Sequence, residues 1–371
     1  MSLSNRALSK FGEKIVNCQL NCCWLYLKLP PWGIRGGLEI LNFNRNILFF
    51  SALAVLTAVL FVCDISFGSV RLPWSAIFSS DRVTHEIIFN FRLPKALTAV
   101  ITGAAISVAG LLMQTLFRNP LAGPYVLGVS SGASLGVAIY LLAGSLLPVA
   151  FVQNGWGLVS AATIGAVLVL LLVLAVSFKV REAVSLLIVG IMFGQIAGSL
   201  VTILQNTSNP DSLKLFVVWT FGSLSAVGWD YMWVMLPLAT VGFIIAFSIQ
   251  KPLNGLLLGE NYAQGLGVNI TRTRSLIIAA VALLAGATTA FTGPIAFIGM
   301  AVPHLVRGIF RTSDHRTTLP GCMLCGASLL MVCDLVTQLP PQGYTLPINA
   351  VSALVGAPII IWIILKSSRK I

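Results

Sequence analysis

Uncharged apolar runs close to twenty residues long recur down this chain, and they limit its fold more than any other feature. Residues 47–62 and 159–176 contain no charged side chain. A helix needs roughly 20 apolar residues to cross about 30 Å of hydrocarbon. A membrane β-barrel instead shows segments of about ten residues with alternating polarity. The runs therefore predict an all-α, polytopic membrane protein of about ten transmembrane helices. The expected spans are 46–67, 94–116, 124–147, 157–178, 183–205, 230–250, 273–294, 297–310, 318–337 and 347–366, the eighth short and tilted or partly buried. They form one domain, 46–368, after an N-terminal extension, 1–45, expected to be disordered and cytoplasmic. Composition agrees: 57% of the residues are hydrophobic and only 9% charged, against about 25% charged in soluble domains.

The basic residues set the orientation. Of 23 Lys and Arg, five (Arg71, Arg82, Arg92, Lys95 and Lys214) fall on one side of these spans and the other eighteen on the opposite side. Cytoplasmic loops collect Lys and Arg, so both termini are expected in the cytoplasm of a bacterial inner membrane. The net charge of +12 does not indicate nucleic acid, because the cations sit singly at the ends of apolar runs rather than in blocks. Lipid is the expected environment.

Motifs for chemistry are missing. There is no phosphate-binding G-x-x-x-x-G-K-[ST], no H-E-x-x-H and no G-x-S-x-G, so neither an ATPase nor a hydrolase is expected, and no metal or cofactor is expected on this chain. Cys322 and Cys325 have metal-ligand spacing but read as apolar filler inside a span. An ion-coupled carrier would bury ionisable groups at mid-membrane. Asp64, Asp230 and Asp334 fall near span ends, where Asp334 reads either as a helix-end carboxylate or as a remnant of that alternative. Two glycine series, Gly128, Gly132 and Gly136, then Gly190, Gly194 and Gly198, predict smooth faces for close helix packing or for sliding during transport.

The most informative loop is 251–272. Pro252 and Asn254-Gly255 are expected to break the sixth span. Residues 260–266 then read as a short helix with Glu260 in its first turn and Gly267 as terminator. Leu257, Leu258, Ala263 and Leu266 give it an apolar side too small to span. Residues 252–271 hold no Lys or Arg, which a lipid-bound helix would be expected to carry, so a protein partner is predicted. On the other side, Arg92-Leu-Pro-Lys95 opens the second span. Cations at a helix N-terminus oppose its dipole; either an external acidic partner compensates, or the side chains snorkel to the interface.

These segments resemble the FecCD family of ABC-transporter permeases. The likeness runs through Arg92-Leu-Pro-Lys95, Gly103 to Gln114, Arg118-Asn119-Pro120-Leu-Ala-Gly-Pro124 and Leu127-Gly-Val-Ser-Ser-Gly132-Ala133. It continues through Leu258-Gly259-Glu260-Asn261-Tyr262-Ala263, Leu266-Gly267-Val268, Gly293-Pro-Ile-Ala-Phe-Ile-Gly299, Val302-Pro303-His304-Leu-Val-Arg307 and Asp314-His-Arg316, to Asp334, Leu346-Pro-Ile348 and Gly356-Ala-Pro358. Many members carry an Arg shortly after the position of Asp334, where this chain has Val336-Thr-Gln338.

The resemblance implies a type II ABC importer permease that pairs with a second copy, as a homodimer, or with a paralogue. Residues 258–267 would be a coupling helix seated in a cytoplasmic ATPase dimer, which binds the ATP and Mg. Arg92 and Lys95 would dock a periplasmic or lipoprotein binding protein, and 212–224 would include a gating helix. Gln114, Asn119, Pro120, Gly132, Pro303, His304, Arg307 and Asp334 are the motif residues expected along or near the path. The expected cargo is an iron chelate (siderophore), with cobalamin or haem as alternatives.

Overall fold

The computed structural model describes residues 31–68, 82–143, 156–180, 182–340 and 345–368. Arg71, Arg181, Arg369, Lys370, most of the N-terminal extension and the end of the expected third span lie outside them. Two compact units are distinguished, Met1–Ala52 and Leu53–Ile371; every helix after the first belongs wholly to the second.

Among the described residues the secondary structure is helical throughout. In chain order the helices are α1 (Pro31–Ser66), α2 (Arg82–Phe117), α3 (Val129–Leu142), α4 (Trp156–Ser177), α5 (Ala183–Thr207), α6 (Pro210–Thr220), α7 (Trp229–Ser248), α8 (Gln250–Leu257), α9 (Glu260–Gly265), α10 (Ile270–Thr292), α11 (Ile298–Phe310), α12 (His315–Thr337) and α13 (Ile348–Ser368). Seven are long and apolar enough to cross a membrane, and α3, α11 and α13 are shorter apolar helices. All ten expected spans thus find a helix in order. The first helix begins at Pro31, well inside the stretch read as a disordered extension; proline's fixed φ suits a first helical position.

The core is α2, buried along nearly its whole length from Leu93 onward. Small residues make this possible. A Cβ on Gly103 would strike the backbone of Gly326 on α12, and one on Gly110 would strike that of Gly299 on α11. With lipid on the outside there is little hydrophobic gain in bringing helices together, so close backbone approach supplies the attraction through dispersion. Three members of the glycine series behave in the same way. Gly132 and Gly136 meet Gly165 and Ala161 of α4, and Gly190 meets Val126 and Leu127. Gly128 lies ahead of α3 at φ +77°, a turn position rather than a helical one, and Gly198 is exposed with nothing near it.

One boundary differs from expectation for a clear reason. Arg92-Leu-Pro-Lys95 does not open a helix but lies within α2, where Arg92 is the last residue of a π-helical turn, Ile87–Arg92. Pro94 has no N–H to donate and its ring would crowd the carbonyl four residues back. The wider turn relieves this: Leu93 N–H donates to Ile88 O instead of Phe89 O, and Trp229 Nε1 takes up the freed Phe89 O at 2.8 Å.

Candidate functional site

The 251–272 segment folds as a helical hairpin. The sixth span, α7, ends at Ser248 with Ile249 as its cap, before the expected breakers, and Pro252, Asn254 and Gly255 lie inside α8. Pro252 is tolerated because it sits in the first turn, where no intrahelical N–H bond is lost. Gly259 then turns the chain at φ +112°, α9 runs from Glu260 to Gly265, and Gly267 leaves it at φ +82°. Asn269 Oδ1 caps α10 by accepting from Arg272 N at 2.9 Å.

The hairpin has two faces. Leu253, Leu256 and Ala263 are buried, whereas Leu258, Tyr262 and Leu266 are 62%, 57% and 62% exposed; Asn261 is exposed beside them. It is also tied from behind. Arg274, buried on α10, donates through Nη2 to Glu260 Oε1 at 3.0 Å and through Nη1 to Val180 O at 2.8 Å. A polar cavity of about 650 Å³ opens there, lined by Glu182, Glu260, Asn261, Gln264 and Thr271 among others.

A second polar group sits between α8, α12 and α2. Asn254 Nδ2 donates to Asp314 Oδ1 at 2.6 Å, and Asn254 Oδ1 accepts from His315 N at 2.9 Å and from His315 Nδ1 at 2.7 Å. His315 Nε2 lies 2.9 Å from Thr115 Oγ1 on α2. Asp314 also caps α12 by accepting from Arg316 N at 3.0 Å. Partial burial works to raise its carboxyl, but these donors, with the nearby positive charge, hold it below the usual carboxylate range. Sequence reasoning did not assign Asn254, His315 or Thr115. Asn254 read as a turn former, and nothing local signals that it reaches across 61 residues.

At the end of α2, Gln114 Nε2 donates to Met300 O at 3.1 Å, and Gln114 Oε1 accepts from Arg307 Nη1 at 2.7 Å. His304 Nε2 donates to Pro120 O at 2.7 Å, while Asn119 Oδ1 accepts from Leu121 N at 2.9 Å. The expected motif residues Gln114, Pro120, His304 and Arg307 therefore join α2 and the following turn to α11, and Asn119 shapes that turn locally. Pro303 is buried within α11, and Gly132 belongs to the α3–α4 contact instead.

At the far end of α2, Lys95 Nζ reaches Asp334 Oδ2 at 2.5 Å and Asp64 Oδ1 at 3.8 Å, and Gln338 Nε2 also donates to Asp334 Oδ2 at 2.8 Å. Arg92 is buried and donates through Nη1 to Ile65 O and Ser66 O, at 2.8 and 2.7 Å. An acid within the chain, Asp334, thus offsets Lys95, while Arg92 is held by backbone carbonyls at the end of α1. Asp334 is an ion-pair partner rather than a lone helix-end carboxylate. A cavity of about 520 Å³ adjoins the cluster, lined by Arg92, Lys95, Ser223, Asp334, Thr337 and Gln338 among others.

The expected gating stretch, 212–224, overlaps α6, which begins two residues earlier at Pro210. Asn209 caps it by accepting from Ser212 N at 2.8 Å, and its exit is bound to α13: Asn349 N donates to Phe221 O at 3.1 Å, while Asn349 Oδ1 accepts from Ala296 N at 3.1 Å. Cys322 and Cys325 are buried free thiols in α12. Among the described residues no group of three or more His, Cys, Asp or Glu could hold a metal.

Comparison with known proteins places this architecture. The model of the FecCD transport family matches residues 56–366. The vitamin B12 import system permease protein BtuC of Citrobacter koseri is 35% identical over 327 residues, 88% of this chain and 96% of that protein. Its counterpart in Salmonella typhi is 38% identical over 283 residues, covering 76% and 84%. A solved structure described as an inward-facing conformation of a metal-chelate type ABC transporter superposes with a TM-score of 0.76 at 29% identity, covering 86% of this chain and 99% of that one. PsaBC of Streptococcus pneumoniae, at 16% identity and a TM-score of 0.51, shares the fold. With the family model spanning most of its length, this multi-pass membrane chain belongs to the FecCD transport family.

Proposed function

We propose that the chain is the permease subunit of an ABC importer for a large metal chelate, with cobalamin as the cargo, and that hydrolysis takes place in a separate ATPase dimer. The observation that carries the mechanism is the hairpin α8–α9. Three large apolar side chains, Leu258, Tyr262 and Leu266, stand out to solvent on and around a helix of six residues that is fixed from behind by Arg274. Such a surface suits insertion into a protein groove, since its apolar area is too small to hold a helix on lipid. Closure of the ATPase dimer on ATP would push this hairpin, and the bundle would pass between inward- and outward-open states around the path formed with a second copy.

The choice of cobalamin rests on the identity to vitamin B12 permeases along most of the chain. An iron chelate is the second reading, favoured by the structural likeness to a metal-chelate type transporter. The excess of Lys and Arg on one side supports an inner-membrane location with both termini cytoplasmic. A periplasmic or lipoprotein binding protein would deliver the cargo to the face bearing α6 and the Lys95 cluster. Arg92 and Lys95 are bound internally there, so docking would rely on other surface residues.

Reconstitution in proteoliposomes with the cognate ATPase and binding protein tests the reading. ATP-dependent uptake of radiolabelled cyanocobalamin is expected. Uptake of a ferric siderophore alone would select the second cargo. Uptake driven by a proton or sodium gradient without ATP would overturn the importer assignment.

A further inference from the structure

The polar group at Asn254 has features that structural packing alone does not require. His315 is fully buried, yet it commits both ring nitrogens and its backbone N–H to two other helices. Asn254 Oδ1 can only accept, so His315 Nδ1 carries a proton, and in the neutral ring Nε2 accepts from the Thr115 hydroxyl. Thr115 Oγ1 also lies 3.0 Å from Leu111 O; one hydroxyl proton cannot serve both acceptors, so the Thr115–His315 bond has an alternative built beside it. Asp314 fixes the other end by accepting from Asn254 Nδ2.

Resting on the importer reading above, we infer that Asn254, His315 and Thr115 form a positioning relay that carries displacement of the α8–α9 hairpin into the core helices α2 and α12. The mechanical argument has two parts. Asn254 lies on α8, whose exposed continuation is the partner-facing helix α9, so any thrust on α9 arrives at Asn254. His315 and Thr115 begin α12 and end α2, and these two helices touch backbone to backbone at Gly103 and Gly326. Packing this close transmits a displacement of one helix to the other. Arg274 holds the opposite side of α9 to the α4–α5 turn, through Val180 O. The hairpin is therefore tied by polar bonds on both sides, through Arg274 to the α4–α5 turn and through Asn254 to α12 and, by way of His315, to the central helix α2.

The test uses the assembled transporter in nanodiscs, with a spin label placed at Leu339 through an unnatural amino acid so that the seven native cysteines are undisturbed. Leu339 is 77% exposed just beyond α12. The distance between the labels of the two copies is read with and without ATP and vanadate. Thr115→Val keeps the side-chain shape and removes the hydroxyl; it should retain ATPase association and basal hydrolysis while the ATP-driven shift in conformer populations falls about tenfold, the scale of one buried hydrogen bond. Asn254→Ala should do the same, and Thr115→Ser should restore the shift. Full shifts in both Thr115→Val and Asn254→Ala, or loss of ATPase association in Thr115→Val, would overturn the relay alone. A wild-type complex with no ATP-driven shift would remove the importer reading and the relay together.

Discussion

Lys95 Nζ and Asp334 Oδ2 lie 2.5 Å apart, joining α2 to α12 at the end opposite the α8–α9 hairpin. The pair is almost fully enclosed, with the Lys95 side chain 13% and the Asp334 side chain 5% exposed. A second carboxylate, Asp64, shares the same ammonium at 3.8 Å. Removing one partner of a buried pair costs about 3–5 kcal/mol because the other charge stays buried.

Lys95→Met should therefore lower thermal stability in detergent by about that amount. Adding Asp64→Asn and Asp334→Asn to Lys95→Met should recover much of the loss. A Lys95→Met protein as stable as wild type would show the pair to be dispensable.

Glu260 and Arg274 make a second, partly exposed pair at 3.0 Å. Glu260→Arg should leave the protein in the membrane yet abolish stimulated ATP hydrolysis, because like charges would expel α9 from its seat. The exchange Glu260→Arg with Arg274→Glu should regain part of the stimulation. ATPase assays on the reconstituted complex decide this, and normal stimulation in the single variant would show that another loop couples.

Close backbone contact makes Gly110 intolerant of any side chain. Gly110→Ala would set a methyl group against Gly299, and overpacking of this kind costs about 1–3 kcal/mol. Gly198→Ala, with nothing near it, should be neutral. Melting of the two variants side by side provides the comparison, and equal melting would refute the contact.

Asp314 sets a pH dependence. Its folded-state value is lowered by the donors from Arg316 and Asn254, so its contribution to stability is present above the ordinary carboxylate range and is lost as pH falls through the lowered value. Asp314→Asn should remove this acid-side loss while leaving stability at neutral pH slightly reduced. Unfolding midpoints followed from neutral pH down through and below the ordinary carboxylate range read the difference in slope.

Gly267 shows how much local sequence could reveal. Its position after an acid-started apolar segment marked the end of a short helix, and α9 with its φ +82° terminator agrees with that reading because turn chemistry is local. The ten apolar runs likewise predicted ten helices in order, since lipid leaves the backbone no other way to satisfy its hydrogen bonds along a span. The ordered family motifs pointed to Gln114, Pro120, His304 and Arg307 without indicating what they touch.

Partner choice belonged to the tertiary structure. Lys95 meets Asp334, His315 meets Thr115, and Gly103 meets Gly326, each pair distant along the chain, and no periodicity encodes which distant group will face another. Even the placement of Arg92 inside α2 required it, because the π-helical turn before Pro94 is closed by Leu93 and relieved by Trp229 of another helix. Solvent preference and turn chemistry act residue by residue and are legible along the chain, whereas pairing of buried polar groups depends on which helices pack together.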